Sequence, residues 1–204
     1  MYVVKTPWWL RLLYGSQLTW NIPTKEKEIY LTFDDGPHPT ITPFVLDQLK
    51  AYNAKATFFC IGKNVDQYTH VYRRIIDEGH KVGNHTYDHL NGWKTTDKDY
   101  FENISKASKI IDSHLFRPPY GRITKFQAKH LSGLFKIVMW DVLSADFDVS
   151  ITKENCLANV LSNIQAGSII VFHDSEKALP RLEFALPSVL QYLKENNFIT
   201  TTIH

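Results

Sequence analysis

Two histidines four residues apart, His85 and His89, are the first residues in this sequence whose spacing could do chemistry. Two imidazoles and one carboxylate form a standard catalytic zinc set that leaves positions open for water and substrate. If the three residues between the histidines make one helical turn, both rings share a face. The adjacent Asp34 and Asp35 can each supply the carboxylate. The pattern predicts one divalent metal ion, most simply Zn²⁺.

The two neighbouring aspartates can have different roles. Successive residues of a strand point to opposite faces, so either Asp34 or Asp35 can face the metal while the other stands beside it as a base. A base within reach of a metal-bound water can take its proton as the water attacks a carbonyl group. The spacing alone leaves open which aspartate does which.

Further polar residues follow apolar runs later in the chain. Arg117 next to a buried carboxylate would keep it ionised and fix its rotamer. His173 could protonate a leaving nitrogen, and either Asp146 or Asp174 could hold its second ring nitrogen. Each residue alone has an ordinary structural explanation, since Asp-Asp-Gly, for example, is common in turns. Their joint placement favours a catalytic site.

The elements that must position these residues alternate along the chain. Strands are predicted at residues 29–33, 57–61, 81–83, 115–116, 135–143, 168–172 and 198–203. Helices are predicted at residues 42–52, 71–76, 97–114, 124–131, 153–164 and 182–193. Such alternation implies an α/β fold with a parallel sheet, either open or closed into a barrel. In both forms ligands meet the carboxyl ends of the strands, where the polar residues lie.

Composition narrows the classes of function. The chain has 204 residues, 23 basic and 21 acidic, with a net charge of +2. This balance gives no basic stripe and predicts no nucleic-acid partner. The two cysteines have neither zinc-knuckle nor CxxC spacing. We expect a single catalytic domain over residues 29–204.

Residues 1–28 form an N-terminal extension rich in aromatic residues, among them Trp8, Trp9 and Trp20. We expect the extension to pack across the underside of the domain, with contact to a membrane surface as the alternative. No signal-peptide pattern is seen, and no apolar run approaches the roughly 20 residues of a membrane span. These features predict a cytoplasmic location.

Five segments resemble, in order, the motifs of a known family. They are TFDDGP at 32–37, HTYDH at 85–89, RPPY at 117–120, Asp146, and IIVFH at 169–173. They resemble the polysaccharide deacetylase family, also called the NodB homology domain or carbohydrate esterase family 4. The resemblance runs from about residue 29 to the C-terminus. It implies a distorted (β/α) barrel, usually of seven parallel strands, and a divalent metal ion, typically zinc.

The resemblance also implies roles for the acidic and basic residues. By position, Asp34 would be the catalytic base, and Asp35, His85 and His89 would bind the metal. Arg117 would orient Asp34.

The remaining motif positions imply the rest of the site. His173 would be the catalytic acid, tuned by Asp146, and Tyr120 would offer its backbone N–H to the oxyanion and line the substrate pocket. Val171 stands where the family usually has Leu, and Phe147 where it usually has Trp. Both substitutions are apolar, so they bear on substrate fit more than on the chemistry.

The implied function is removal of N-acetyl groups from an oligo- or polysaccharide that contains N-acetylglucosamine, of the chitin-oligosaccharide or peptidoglycan type. Trp93 is a candidate aromatic residue of the substrate groove. One alternative is a related amide hydrolase acting on a small imide or a formylated sugar lipid, which fold alone does not separate from a deacetylase. Another is a non-catalytic carbohydrate-binding relative, which the intact acid, base and metal positions disfavour.

Overall fold

The protein is described by a computed structural model of residues 3–204, and Met1 and Tyr2 of the predicted extension lie outside the described part. A curled half-barrel of parallel strands with helices forms a single domain, as a distorted (β/α) barrel predicts. The strands are β1 (Leu18–Thr19), β2 (Glu28–Asp34), β3 (Ala56–Cys60), β4 (Lys81–Asn84), β5 (Leu115–Phe116), β6 (Lys136–Val138), β7 (Val142–Leu143), β8 (Ile169–His173) and β9 (Ile199–Thr200).

The strand order explains how distant motifs meet. The sheet runs β1-β6-β5-β4-β3-β2-β8-β7, and β9 pairs with the start of β2. Strands β2, β3 and β8 are almost wholly buried, which is the pattern of parallel strands covered on both faces. Because β2 lies between β3 and β8, its last residue, Asp34, is in register with Phe59 and His173.

Helices cover the outside of the sheet and supply much of the core. They are α1 (Trp8–Tyr14), α2 (Ile41–Ala51), α3 (Gly62–Gln67), α4 (Thr69–Asp77), α5 (Asp97–Ser108), α6 (Lys125–Leu131), α7 (Lys153–Leu161) and α8 (Leu179–Glu195). Threonines cap three of them: Thr96, Thr124 and Thr152 accept hydrogen bonds from backbone N–H groups of α5, α6 and α7. Such caps satisfy N–H groups that the first turn of a helix leaves free.

Two strand predictions need correction. The single strand predicted at 135–143 is wrong, because the chain changes partner in the middle of it. The Met139 N–H donates to the carbonyl of Thr19 in β1, whereas the Asp141 N–H donates to the carbonyl of Ile169 in β8. The segment therefore forms two short strands, β6 and β7. Strand β1 lies in the N-terminal extension, for which no strand was predicted.

The helix predictions also differ in detail. The helix predicted at 71–76 lies within α4, whereas the short helix α3 before it was not predicted. Helix α5 ends at Ser108 rather than at His114. The buried Asn84 ties its last turn to strand β4, since Asn84 Nδ2 donates to the Ile104 carbonyl and to Ser108 Oγ, both 3.0 Å away.

The N-terminal residues contact the sheet through one buried carboxylate. Asp141 Oδ2 lies 2.6 Å from Lys5 Nζ, and Asp141 Oδ1 lies 2.5 Å from Arg11 Nη2. The predicted position on the underside is wrong. Trp9 lines a cavity together with Tyr120, which follows β5 at the carboxyl end of the sheet. No helix in the described range, 3–204, is long and apolar enough to span a membrane.

Candidate active site

The carboxyl ends of the strands surround one cavity of about 620 Å³. Eight of the residues predicted from the sequence line it: Asp34, Asp35, His85, His89, Tyr120, Phe147, Val171 and His173. Arg117 and Asp146 lie behind this wall, fully buried, and bind two of the lining residues. Trp93 does not line this cavity but a neighbouring one. The parallel topology thus brings the motifs together at one edge, as ligand sites of such sheets require.

Three side chains form a cluster with the composition of a metal site. One potential ligand atom from each of Asp35, His85 and His89 lies within 4.8 Å of the other two. Asp35 Oδ1 is 3.2 Å from His89 Nε2 and 3.8 Å from His85 Nε2. Two ligand atoms on one tetrahedral zinc ion lie about 3.4 Å apart, since each bond is about 2.1 Å long. The donor set and its spacing therefore fit a divalent ion of the zinc type.

The backbone around the histidines is not the predicted helical turn. Thr86 and His89 have φ angles of 62° and 57°, a left-handed conformation that a helix excludes. Hydrogen bonds hold this loop: Asn84 Oδ1 accepts from the Thr86 N–H, and Asn103 Oδ1 accepts from the N–H groups of Tyr87 and Asp88. The two imidazoles therefore converge through a tight loop and not through the helical turn that the four-residue spacing suggested.

Hydrogen bonding and burial prepare His85 to act as a ligand. Its Nδ1 lies 2.8 Å from the Arg117 carbonyl oxygen, which can only accept, so Nδ1 carries the proton and Nε2 keeps its lone pair. Burial lowers the pKa of His85 to about 4, although the charge of Asp34 opposes this. The ring is thus neutral near pH 7. A carbonyl that accepts from one ring nitrogen in this way commonly fixes the tautomer of a histidine that binds metal through the other.

Asp35 has left strand β2, so strand alternation does not separate it from Asp34. Its φ angle is 81°, and its carbonyl accepts a 2.7 Å hydrogen bond from Asn64. Burial acts to raise the pKa of Asp35, but the hydrogen bond with His89 and the charges of His173, His89 and His85 hold it well below its usual range. Asp35 is therefore an anionic group at the centre of the histidines.

The turn after Asp35 depends on Asp174, whose role the sequence did not resolve. Asp174 does not hold the His173 ring. Its Oδ1 accepts from the Gly36 N–H at 3.0 Å, and its Oδ2 accepts from the Thr42 hydroxyl. A Cβ at position 36 would lie 2.1 Å from Asp174 Oδ2, so only glycine allows this approach. Burial raises the pKa of Asp174 to about 7.

Asp34, the last residue of β2, is held by a buried arginine. Arg117 Nη1 donates to Asp34 Oδ1 at 2.6 Å and to Thr32 Oγ1 at 2.8 Å. Its other nitrogens donate to the carbonyls of Val138 and Met139, so every branch of the guanidinium is bonded. Burial lowers the pKa of Arg117, and the charge of Asp34 opposes the shift. The carboxylate is fixed at the cavity wall with its remaining oxygen unclaimed by Arg117.

His173 ends strand β8 and is held by Asp146. His173 Nδ1 lies 2.7 Å from Asp146 Oδ1, and the backbone N–H of His173 donates to Asp146 Oδ2. Burial acts to lower the pKa of His173, but the charge and hydrogen bond of Asp146 outweigh it and raise the pKa to about 9. The ring of Phe147 packs edge-on against His173 with centroids 5.1 Å apart. The imidazole is therefore cationic and fixed in orientation at neutral pH.

Tyr120 is the most exposed of the predicted site residues in the cavity. It has a φ angle of 60°, the residue is 59% exposed, and its ring centroid lies 4.5 Å from that of His89. Sequence reasoning missed Trp140, which lines the same cavity beside Gly121. Trp140 lies inside the segment that was predicted as a strand at 135–143. The only sequence signal of a loop near it was the Pro-Pro-Tyr-Gly turn at 118–121.

A family model described as polysaccharide deacetylase matches residues 21–132, more than half of the chain. A peptidoglycan-N-acetylglucosamine deacetylase of Bacillus cereus is 36% identical over 198 residues, covering 85% of this chain and 72% of that protein. A chitooligosaccharide deacetylase of Azorhizobium caulinodans is 36% identical over 166 residues, covering 76% of this chain and 77% of that protein.

Solved structures of a deacetylase and a carbohydrate esterase are also similar to this chain. A peptidoglycan N-acetylglucosamine deacetylase in complex with 4-naphthalen-1-yl-N-oxidanyl-benzamide superposes with a TM-score of 0.88 at 34% identity, covering 97% of this chain and 95% of that one. A family 4 carbohydrate esterase from Streptomyces lividans in complex with acetate has a TM-score of 0.76 at 26% identity, covering 87% of this chain and 93% of that one.

Proposed function

The chain belongs to the polysaccharide deacetylase family, and we propose that it is a metal-dependent hydrolase that removes N-acetyl groups from an oligo- or polysaccharide containing N-acetylglucosamine. One observation carries the proposal: a fixed carboxylate, Asp34, and a cationic imidazole, His173, line one cavity with the three-ligand cluster. Hydrolysis of an amide needs a base for the water and an acid for the nitrogen. Relatives of both the peptidoglycan and the chitooligosaccharide type support the substrate class.

Asp35, His85 and His89 would hold the metal ion, for which zinc is the proposed identity. When bound, a divalent ion polarises a carbonyl oxygen and lowers the pKa of a bound water. Asp35 brings the negative charge, and His85 brings a neutral ring whose free nitrogen faces Asp35. His89 completes the set beside Tyr120, at the exposed side of the cluster.

Asp34 is the proposed base. Arg117 fixes one of its oxygens through a 2.6 Å hydrogen bond and thereby sets the direction of the other. A carboxylate held in this way can take a proton from a water molecule that attacks the acetyl carbonyl. Asp34 is already oriented in the folded protein, because the Arg117 guanidinium that holds it is buried and fully hydrogen-bonded. Little orientational entropy therefore remains to be lost during the reaction.

His173 is the proposed acid. Asp146 keeps the ring protonated and occupies its Nδ1, so the Nε2 proton is the one available to the leaving nitrogen. An amide nitrogen that leaves without a proton is a very poor leaving group. The products are acetate and a free amino sugar. The similar carbohydrate esterase in complex with acetate supports this assignment of the product.

The proposed pocket for the acetyl methyl is apolar. Leu143 and Val171 line the cavity next to His173, and both are buried. The backbone N–H of Tyr120 is the proposed oxyanion donor, because the left-handed turn brings this residue beside His89. Donors arranged in advance around a developing oxyanion are commonly the largest contribution to catalysis.

The predicted cytoplasmic location is tested by nothing in the fold and stays a prediction.

Acetate release from N-acetylglucosamine oligomers tests the proposal, measured with native metal, after chelation, and after zinc is restored. We expect activity to disappear with the chelator and to return with zinc. The Asp34→Asn enzyme, loaded with metal, is the matched control for hydrolysis that does not depend on the base. Turnover of a cyclic imide or a formylated sugar lipid without turnover of any oligomer would favour the alternative hydrolase. Binding of oligomers without release of acetate would favour the non-catalytic alternative.

A further inference from the structure

The two edges of the curled sheet lie next to each other. Strands β1 and β7 are the edge strands, and β1 pairs with β6. Only residues 139–141 connect β6 to β7, and a link of that length spans no more than about 14 Å, so the two edges must be close in space. Trp140 in this link and Leu143 in β7 both line the catalytic cavity. The seam between the edges, residues 139–143, is therefore part of the cavity wall.

The N-terminal segment, residues 4–19, binds both edges of the sheet. At β7, the Leu143 N–H donates to the Val4 carbonyl at 2.8 Å, and the Thr6 N–H donates to the Asp141 carbonyl at 3.0 Å. These bonds pair the segment with β7 in the antiparallel direction. At the other edge, the end of the segment forms β1, which pairs with β6 in parallel. The N-terminal segment therefore closes the seam that the parallel strands leave open.

Side chains of the same segment hold the seam itself. The hydroxyl of the buried Thr6 donates to the Trp140 carbonyl at 2.7 Å. Asp141 is fully buried, and its carboxylate accepts three hydrogen bonds, from Lys5 Nζ at 2.6 Å, Arg11 Nη2 at 2.5 Å and Ser168 Oγ at 2.6 Å. A buried charge that loses one of its partners is costly to keep in place. The backbone position of Trp140 and Asp141 therefore depends on the N-terminal segment.

The two walls of the proposed acetyl pocket are supported differently. Leu143 is in register with Val171 across β7 and β8, and both line the catalytic cavity. Val171 lies in β8, which is flanked by β2 and β7 inside the sheet. Leu143 lies in a two-residue edge strand, and its N–H is the one that Val4 binds. Because short edge elements open at a lower free-energy cost than strands inside a sheet, the Leu143 wall needs the N-terminal segment to stay in place.

We infer that the N-terminal segment sets the size of the acyl pocket by holding Trp140 and Leu143 in place. Its positioning residues are Lys5, Thr6 and Arg11, none of which lines the catalytic cavity. The inference rests on the proposed deacetylase function, and it adds a determinant of acyl-group selectivity that lies outside the catalytic cavity. One extra methylene in an apolar pocket changes kcat/KM by roughly 10–200-fold. A wall that is held in place rejects a propionyl group in favour of an acetyl group, whereas a loosened wall yields to the extra methylene.

The selectivity between two acyl groups tests the inference. The zinc-loaded enzyme is assayed for release of acetate from an N-acetylglucosamine oligomer and of propionate from the N-propionyl oligomer of the same length. Thr6→Val keeps the shape of the side chain but removes the bond to the Trp140 carbonyl, and Arg11→Met removes one cation from Asp141. We expect each change to lower the acetyl-to-propionyl ratio of kcat/KM roughly three- to tenfold. Thr6→Ser keeps the hydroxyl and should keep the wild-type ratio.

Arg74 provides a matched control for Arg11. Its side chain is also partly exposed, at 34% against 28%, and also forms ion pairs, but it lies in α4 and does not line the catalytic cavity. Arg74→Met should therefore keep the wild-type ratio. Because each ratio is taken within one variant, a smaller folded fraction does not imitate the effect.

Three results would overturn the inference. They are an unchanged ratio in Thr6→Val or in Arg11→Met, an equal fall in Arg74→Met, and an equal fall in Thr6→Ser. Should Arg11→Met fail to fold, Thr6→Val decides alone. Zinc content should stay the same in every variant, because the three proposed ligands make no contact with the N-terminal segment.

Failure of the proposed function is distinguishable from failure of this inference. If the wild-type enzyme releases neither acetate nor propionate, the proposed function is wrong. Amide hydrogen exchange at Leu143, whose N–H donates to the Val4 carbonyl, then decides on the positioning of β7 alone. Faster exchange at Leu143 in Thr6→Val than in Arg74→Met supports that positioning, and equal exchange rates contradict it.

Discussion

Asp146 binds His173 at two points, with Oδ1 2.7 Å from the ring Nδ1 and Oδ2 2.7 Å from the backbone nitrogen. A carboxylate that accepts from both the ring and the main chain fixes the rotamer and the protonation state together. A core histidine would also need its ring N–H satisfied, but the His173 ring lines the cavity that holds Asp34 and the histidine cluster, where a catalytic acid must lie. The Asp146 bonds and this position together support the proposed role of His173 as the acid.

Replacing His173 with alanine tests that assignment. We expect His173→Ala to lower kcat by roughly 10²–10⁴-fold, the usual effect of losing a positioned acid, with metal content unchanged. Acetate release and elemental analysis of the same preparation give both numbers. Near-normal turnover would mean that water or another group supplies the proton, and loss of the folded circular dichroism spectrum would mean that the ring is a structural core residue.

Replacing Asp146 with asparagine should move the pH profile. The acid must be protonated to act, so activity is present below the pKa of His173, which is about 9, and is lost as the pH rises through it. Asp146→Asn removes the charge that raises this pKa and leaves burial, which lowers it, less opposed. The basic limb of the kcat profile should therefore shift to lower pH. A limb that stays in place would show that it reports another group.

The sequence located the site better than it described the backbone around it. Residues that follow long buried strands, such as Asp34 after β2 and His173 in β8, could be placed because parallel strands deliver their ends to one edge. The loop from Thr86 to His89 could not, since its left-handed backbone is held by Asn84 and by Asn103 from helix α5. Asn84 makes a local turn with the Thr86 N–H two residues on, but Asn103 lies in α5, so the four-residue spacing of the histidines suggested a helical turn instead.

Contacts over long sequence distances explain the other misses. Trp93, a candidate residue of the substrate groove, does not line the cavity of Asp34 and His173 but a neighbouring one, where its indole donates to the carbonyl of Ile123. Asp174 was a candidate partner of His173, yet it binds the Gly36 N–H across the sheet edge. Sequence pattern identifies which residues are unusual for their surroundings. The partner of each is fixed by strand order, which hydrophobic periodicity does not encode.

The metal ligands can be tested apart from catalysis. His85→Ala removes one ligand of the proposed set and leaves Asp35 and His89 in place, so we expect both zinc content and acetate release to fall to a few per cent or less. His80→Ala is a matched control: His80 is also buried and has a pKa lowered by burial to about 4, but it bonds the Ala56 N–H and lies outside the cluster. Stoichiometric zinc in purified His85→Ala protein would refute the assignment.

The adjacent carboxylates should separate into a base and a ligand. Asp34→Asn should lower turnover by roughly 10²–10⁴-fold and leave zinc content near one per chain, because Arg117, not the metal cluster, holds its carboxylate. Asp35→Asn should weaken zinc affinity, since it takes away the only carboxylate of that cluster in the described range. Titration with a zinc indicator measures both. The opposite result, with zinc lost in Asp34→Asn and retained in Asp35→Asn, would reverse the roles.

The buried pair of Arg117 and Asp34 makes a prediction about stability. Arg117→Met leaves Asp34 buried without its counter-charge, and losing one member of a buried pair costs about 3–5 kcal/mol of unfolding free energy. The hydrogen bonds to Thr32 and to two carbonyls are lost at the same time. Urea denaturation at fixed zinc concentration measures the change.

Two further variants separate the charge from the lost packing and hydrogen bonds. Arg181 is also buried, but its guanidinium donates to the carbonyls of Asp146 and Lys177, so Arg181→Met should cost less than Arg117→Met. Adding Asp34→Asn to Arg117→Met removes the unpaired charge, and the double variant should recover part of the lost stability. If the double variant is as unstable as Arg117→Met alone, the charge of Asp34 does not cause the loss of unfolding free energy. The loss then comes from the carbonyls left without a donor and from the lost contact of the guanidinium with the Phe59 ring, 4.1 Å away.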